Sequence, residues 1–349
     1  MNLTEFAKKL GLSVSTVSRA LNGYTDVSET TRRRIFEAAE RWGYAANPAA
    51  RGLRKRTSGL IAFVLSYPQK RFAHPFFLDM LAGIDERLRE TEFQLVITTT
   101  PSMEGELGCF KRLVEKQRVD GLIFARTRKH DDRIEYLQSR GVPFITHGRS
   151  ETVEPFPYVD IDHGVVGRSG CGRFIALGHT RIALLNTPSY LMYSHHRRAG
   201  YEEALEAAKL TVDESLIVEE EISEEGGAAG ARKLLSLKDP PTAILCGNDL
   251  AAMGAMRAIS EAGLQPGTDV GVIGSDDNPF GEYLPVPLTT FHAPVVDMGR
   301  RLADLLLLAI DGKPASELQE LWIPELVIRA SHGPARRQIE QQGKKVAVS

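Results

Sequence analysis

At 349 residues and 42% apolar composition, the chain is long enough to bury more than one hydrophobic core. Its three cysteines (Cys109, Cys171 and Cys246) lie far apart with no Cys-x-x-Cys spacing, which argues against a disulfide framework or a zinc cluster and for a reducing compartment. The formal net charge of −2 is unevenly spread, because residues 1–56 carry 11 Lys and Arg against 5 Asp and Glu; a basic head on an acidic body fits nucleic acid at one end only.

The first elements read as helices. Leu3–Leu10 and Val14–Asn22 flank a turn at Gly11, with Phe6/Leu10 and Val17/Leu21 four residues apart as one apolar stripe on each. Thr4 and Ser13 are the expected N-caps. Val14, Ser15, Ser18, Arg19 and Asn22 fall largely on the other face of the second helix. A third helix follows Ser28 as N-cap, with Ile35, Ala38, Ala39 and Trp42 at helical spacing and Gly43 at its end. Two short helices across a glycine turn predict a helix-turn-helix whose second helix lies in the DNA major groove.

Residues 45–57 predict a short hinge helix. Asn47 is a good N-cap and Pro48 suits the first helical position, but two turns are marginal in water and Gly52 weakens them further. Arg51, Arg54, Lys55 and Arg56 suit phosphate backbone, and Leu53 among them suits a minor-groove wedge.

From Gly59 the pattern changes to apolar strands alternating with helices: 60–65, 93–98, 120–125 and 142–146, then a second series at 158–161, 181–185, 216–218, 242–246 and 270–274. Such alternation predicts two doubly wound parallel α/β sheets, hence two lobes with a ligand cleft between them. No run of about 18 apolar residues is present, so no membrane span is expected. The chain opens directly on an amphipathic helix rather than a signal core, so a cytoplasmic protein is expected.

These motifs together resemble the LacI/GalR family of bacterial transcription regulators over nearly the whole chain. The resemblance implies a helix-turn-helix headpiece (1–44), a hinge (45–57), a two-lobed, periplasmic-binding-protein-like sensor (58–333) and a flexible tail (334–349). Within the sensor it implies a first lobe of about 58–157 and 291–320 and a second of about 158–290 and 321–333. The chain would return to the first lobe through Leu288–Phe291 and to the second through Trp322-Ile323. On DNA, Val14, Ser15 and Arg19 match the start of the reading helix and Asn22 its end. Ser13, Thr16, Ser28 and Thr31 match phosphate contacts, and Leu53 the hinge leucine that pries open the central base step. Thr4, Ser18, Asn47, Ala50 and Arg54 complete the expected DNA-facing set.

For the effector the resemblance points to Phe76 and Phe77, to Arg197 within His196-Arg197-Arg198-Ala199-Gly200-Tyr201, and to Asn248 and Asp276. Where many relatives have an aspartate this chain has Gly148, which leaves the anchoring charge to His147 or Arg149. Asp, Asn and Arg with aromatic faces suit a hydroxyl-rich ligand, so the expected effector is a small sugar or sugar derivative, a glucoside or disaccharide included. The expected partners are near-palindromic operator DNA, that effector and a second copy of the chain; the tail lacks the leucine heptads of tetramers. No cofactor, metal or catalytic residue is expected. Gly164, Gly167, Gly170 and Gly172 have no Gly-Lys-Ser/Thr behind them and read as helix packing rather than a phosphate loop, and no nucleophile elbow supports a hydrolase. A sugar-responsive activator or a solute-binding protein is the alternative, the latter at odds with the basic head.

Overall fold

The computed structural model describes residues 1–21, 24, 26–44, 57–66, 75–100, 105–116 and 118–335. Asn22, the expected hinge helix with Asn47, Ala50, Leu53 and Arg54, and the tail beyond 335 lie outside the described residues. Contacts divide the chain into two compact units, residues 1–60 with 113–120, and the remainder.

The first unit carries α1 (Leu3–Leu10), α2 (Val14–Leu21) and α3 (Glu29–Arg41) around a core of Phe6, Ala7, Leu10, Val17, Ala20, Ile35 and Ala38. Asn2, not Thr4, caps α1. Its Oδ1 accepts from the Glu5 N–H at 2.9 Å while the Glu5 carboxylate accepts from the Asn2 N–H at 3.1 Å. That reciprocal box needs a carboxylate three residues on, which Thr4 lacks because Ala7 stands there. Gly11 ends α1 at φ +66°, and Ser13 Oγ accepts from the Thr16 N–H at 3.0 Å. Beyond α3, Tyr44 stacks on Phe6 (4.2 Å between centroids) and Trp42 meets it edge-on (5.7 Å). At the sensor end of this unit the Asp120 carboxylate accepts from the Ser58 and Gly59 N–H groups at 2.8 and 2.6 Å.

The second unit is α/β. Its first sheet has the order β2-β1-β3-β4-β5-β11, formed by Gln94–Thr100, Leu60–Ser66, Gly121–Ala125, Phe144–His147, Tyr158–Ile161 and Gln319–Trp322. The second has the order β7-β6-β8-β9: Ile217–Glu219, Ile182–Asn186, Ala243–Cys246 and Gly271–Ile273. The pairs with defined register in both sheets are parallel, and the near-continuous apolar runs follow because helices cover both faces. A two-stranded antiparallel ribbon, β10 (Thr290–His292) with β12 (Glu325–Val327), accompanies them.

Two expectations about the crossings change. Tyr158–Ile161 does not open the second lobe: Tyr158 pairs with Thr146 of β4 and Ile161 with Trp322 of β11, so the first sheet includes both β5 and β11. The lack of a helix between β4 and β5 reads like a boundary, but pairing rather than spacing decides membership. Leu288–Phe291 likewise does not enter the first lobe. Leu288 and Phe291 pack in second-lobe cores, and the chain reaches the first-lobe core only at Ala293 and Val295.

Helices pack as pairs through glycines. The pairs are α4 (Pro75–Leu88) with α11 (Val295–Ile310), α7 (His163–Ala176) with α8 (Met192–Ala207), and α9 (Glu224–Leu235) with α10 (Asp249–Glu261). A Cβ on Gly83 would lie 2.0 Å from Val296 O, on Gly167 2.1 Å from Arg197 O, and on Gly254 2.0 Å from Glu224 O. A Cβ on Gly299, Gly200 or Gly227 would likewise lie 2.2, 2.1 or 2.2 Å from a carbonyl oxygen of the opposite helix. Only a glycine on each side lets these backbones touch, which accounts for Gly167; a Cβ on Gly170 would lie 2.6 Å from Leu245 Cδ1, whereas Gly164 and Gly172 have room for one and are not required by packing. Gly167→Val is therefore expected to destabilise the sensor by about 1–3 kcal/mol through overpacking. A urea midpoint equal to wild type would contradict the close approach. The remaining helices are α5 (Glu106–Glu115) and α6 (Asp132–Arg140).

Candidate effector cleft and DNA-facing helix

Ligands of open parallel sheets gather at the carboxyl ends of the strands where strand order reverses. Here the order turns at β1/β3 in one lobe and at β6/β8 in the other. A cleft of about 910 Å³ of atom-free space, its open mouth included, lies at those ends. Its walls come from Phe76 and Phe77 of α4, Arg126 after β3, His147 ending β4, Thr187 after β6, Gly247 and Asn248 after β8, and Asp276 after β9. Two backbone bonds join the lobes beside it: the Met192 N–H donates to Thr127 O at 2.9 Å and the Lys129 N–H to Tyr190 O at 3.1 Å. No side chain caps α8, so a carbonyl of the other lobe serves one of its free N–H groups.

Arg197 sits in the second turn of α8, almost fully buried. Its Nη1 donates to Asn186 Oδ1 at 2.9 Å and its Nη2 to His163 Nδ1 at 3.0 Å. The Asn186 amide nitrogen donates to Ser194 O at 3.0 Å, which turns its oxygen toward the guanidinium. Tyr193, one turn earlier, lies 5.6 Å below the guanidinium carbon. The Arg197 Nε is buried with no partner among the described residues. Burial pulls the Arg197 pKa below its ordinary value, with Tyr193 and Asp276 opposing.

Asp276 follows β9 at φ +118°, a conformation that side chains rarely adopt, with its N–H donating to Phe291 O at 2.9 Å. Burial, then the nearby Asp249 carboxylate, push its carboxyl well above the usual range against the pull of Arg197. Burial likewise pushes Asp249 up to about 6, although Thr290 Oγ1 and the Asn278 N–H donate to it at 2.5 and 2.6 Å. The pair thus holds a proton to higher pH than an isolated carboxylate does. Asn248 caps α10, its Oδ1 accepting from the Ala251 N–H at 2.7 Å, which leaves its NH₂ as the group to offer a ligand.

Six of the seven expected effector residues line this cleft: Phe76, Phe77, His147, Arg197, Asn248 and Asp276. Arg149 does not. Its Nε donates to Asp160 Oδ2 at 2.7 Å and its Nη2 lies 4.0 Å from Asp162. Gly148, at φ +120°, turns the chain there, and a Cβ on it would lie 2.4 Å from Thr127 Oγ1, so an aspartate side chain has no room in this backbone. The carboxylate on that wall is Asp160, half neutralised by Arg149. Asp160, His163, Tyr193 and Arg126 were not among the expected contacts. Asp160 lies near the end of β5 and His163 opens the helix after it, positions the strand-end rule reaches only once β5 is placed in the sheet. Tyr193 is four residues before Arg197 on one helix face, a signal present in the spacing. No group of three or more His, Cys, Asp or Glu among the described residues is arranged to hold a metal ion.

On the headpiece, Val17 and Ala20 turn inward, leaving Thr4, Ser13, Val14, Ser15, Arg19 and Ser28 exposed and Thr16, Ser18 and Thr31 half-buried. Ser13 Oγ lies 2.8 Å from Thr16 Oγ1, and Ser28 Oγ donates to Thr31 Oγ1 at 2.8 Å, so the expected phosphate-contacting hydroxyls come in two pairs. Arg19 pairs with Asp26 across exposed surface, with the Tyr24 ring 5.3 Å away. An exposed pair of this kind is weak enough for a guanine edge to replace. No helix among the described residues is long and apolar enough to cross a membrane.

Residues 2–47 match the family of bacterial regulatory proteins of the lacI type, and residues 171–332 match the periplasmic binding protein-like domain. The chain is 38% identical over 341 residues to the HTH-type transcriptional regulator AglR of Rhizobium meliloti (strain 1021), covering 96% of this chain and 95% of that one. It superposes on the transcriptional regulator CelR–cellobiose complex with a TM-score of 0.73 at 32% identity, covering 95% of this chain and 99% of that one. On the Lac repressor dimer bound to operator and the anti-inducer ONPF the TM-score is 0.81 at 27% identity, with 95% and 98% covered.

Proposed function

We propose that this chain, which belongs to the lacI family of bacterial regulatory proteins and is a DNA-binding transcriptional regulator, is a repressor without catalytic activity whose grip on an operator is set by a small sugar or sugar derivative held between the sensor lobes. The observation that carries the reading is the wall chemistry of the cleft. Aromatic faces (Phe76, Phe77, Tyr193) stand beside side chains that make directional hydrogen bonds (His147, His163, Asn248, Arg197, Asp160, Asp276), which suits the apolar face and hydroxyl rim of a pyranose. The cellobiose in the CelR complex supports the sugar class, a glucoside or disaccharide among the candidates.

A homodimer sets two copies of α2 in successive major grooves of a near-palindromic operator, half-sites about one DNA turn apart. Residues 1–44 form the reader, 45–57 the hinge and 334–349 the tail. Ser13, Thr16, Ser28 and Thr31 hold phosphates, while Val14, Ser15 and Arg19 face base edges. Effector binding shifts a two-state equilibrium. Reversing it from 99:1 to 1:99 needs about 5.5 kcal/mol of differential affinity, roughly half per protomer in a dimer.

The test has two stages. Genomic fragments selected by the purified protein give the operator, and a thermal-shift screen of sugars gives the effector, which is then added to a mobility-shift assay. Release of the operator by a sugar that also raises the melting temperature is the expected outcome. Tighter operator binding with that sugar would make it a co-repressor, and selection of no preferred fragment would refute the regulator reading of the headpiece.

A further inference from the structure

Two imidazoles face the cleft, and their inner nitrogens are committed in opposite senses. His147 Nδ1 lies 3.1 Å from Val159 O. A carbonyl only accepts, so Nδ1 carries the hydrogen and Nε2 presents a lone pair. His163 Nδ1 lies 3.0 Å from Arg197 Nη2. A guanidinium only donates, so this Nδ1 holds the lone pair and Nε2 carries the hydrogen. Neither Nε2 has a hydrogen-bond partner among the described residues, and both rings line the cleft. An aromatic ring fixes each: Phe76 is 5.3 Å from His147 and Tyr193 is 5.3 Å from His163.

We propose that His147 and His163 are a specificity pair of opposite tautomers, His147 Nε2 accepting from the effector and His163 Nε2–H donating to it. The proposal rests on the sugar reading and sharpens it. A hydroxyl both gives and takes a hydrogen bond, so a ligand with a hydroxyl at each position meets both rings. An ether or carbonyl oxygen leaves the His147 lone pair facing another, and an ammonium leaves the His163 hydrogen unmet. Arg197 is then a positioning residue for His163 as well as a wall of the cleft. Burial lowers the pKa of both rings, and for His163 the Arg197 charge lowers it further, so both stay neutral at neutral pH.

The test uses the full-length protein and two measurements. Nitrogen-15 spectra of histidine-labelled protein, assigned by His147→Gln and His163→Gln, report the tautomers directly; the expected forms are Nδ1–H for His147 and Nε2–H for His163. Calorimetric titration with maltose, cellobiose, sucrose, lactose and melibiose then identifies the tightest probe. Against it His147→Phe and His163→Phe are each expected to lose about 10-fold or more in affinity, because a buried hydrogen-bonding group loses its partner. The Gln variants, which keep an amide near the Nε2 position, are expected to lose less. Either tautomer reversed, or probe affinity unchanged in both Phe variants, overturns the specificity pair alone. Failure of all five sugars to bind wild type overturns the sugar reading and the pair with it.

Discussion

Arg197→Ala is expected to leave operator binding at wild-type level and to abolish release by the effector. The guanidinium faces the cleft, yet two of its bonds go to the protein: one to Asn186 and one to His163. Truncation therefore removes the proposed ligand contact and also frees the His163 ring. The headpiece, a separate unit, keeps its fold. Losing a charged donor to a buried acceptor is worth about 1.5–3 kcal/mol, and roughly 2.7 kcal/mol per protomer drives the switch, so one substitution can consume the whole allosteric difference. Mobility-shift titrations with and without the effector measure this. Retained release would remove Arg197 from the site, whereas lost operator binding would show that the substitution unfolds the sensor.

The largest loss of stability is expected from Arg133→Ala. Arg133 is fully buried, its Nε 2.8 Å from Asp131 Oδ1 and its Nη1 2.5 Å from Glu106 Oε1, with a further bond to Arg126 O at 3.1 Å. Arg128 closes the network on Glu106 at 2.6 Å. Removing the central cation leaves the buried Asp131 carboxylate without its guanidinium and Glu106 with Arg128 alone, and breaking a buried pair of this kind costs about 3–5 kcal/mol. At two to four degrees per kcal/mol the sensor should melt on the order of 10 °C lower. Replacing Arg133, Glu106 and Asp131 together by apolar residues should recover part of the loss, because the fully buried charges leave together and Arg128 keeps Asp132, although α6 loses its Asp131 cap. A single variant melting with wild type would refute the network. Its pH dependence has a definite sign. Burial raises the Asp131 pKa but the Arg133 hydrogen bonds and charge outweigh it, so the folded value is lowered. The stabilisation is thus complete above the usual carboxylate range and is lost only as pH falls through the depressed value.

The loop after β3 explains why this network bears on function. Arg133 holds the carbonyls of Ala125 and Arg126, and Arg126 stands at φ +57° with its side chain on the cleft wall. A strained residue survives only where its surroundings over-determine it. Here the buried ions fix the loop whose Thr127 carbonyl also meets the start of α8.

Much of this was legible in the residues alone. The two-lobed parallel fold follows from strand and helix alternation, and Gly167 and Gly170, though not Gly164 and Gly172, are the packing residues expected of a stretch with no phosphate-loop lysine. Arg197 follows from a family motif on a helix, and Asn248 and Asp276 from family motifs at strand ends. Arg149 misled because the strand-end rule locates a residue without giving its direction, and one glycine in the left-handed region turned that side chain onto Asp160. Thr4 misled because a good capping residue one turn-step inside the helix loses to Asn2, whose Glu5 completes the box.

What the residue order determined by itself was local: helix ends, the basic head, apolar periodicity, and the small residues that permit close backbones, since these depend on neighbours within a turn or a strand. What only the tertiary structure decided were the long-range pairings. Those are the membership of β5 and β11 in the first sheet, the buried Glu106–Arg133–Asp131 ions, and which nitrogen of His147 and of His163 carries its hydrogen. Hydrogen bonds are short-ranged and directional, so their partners exist only once distant segments are folded against one another.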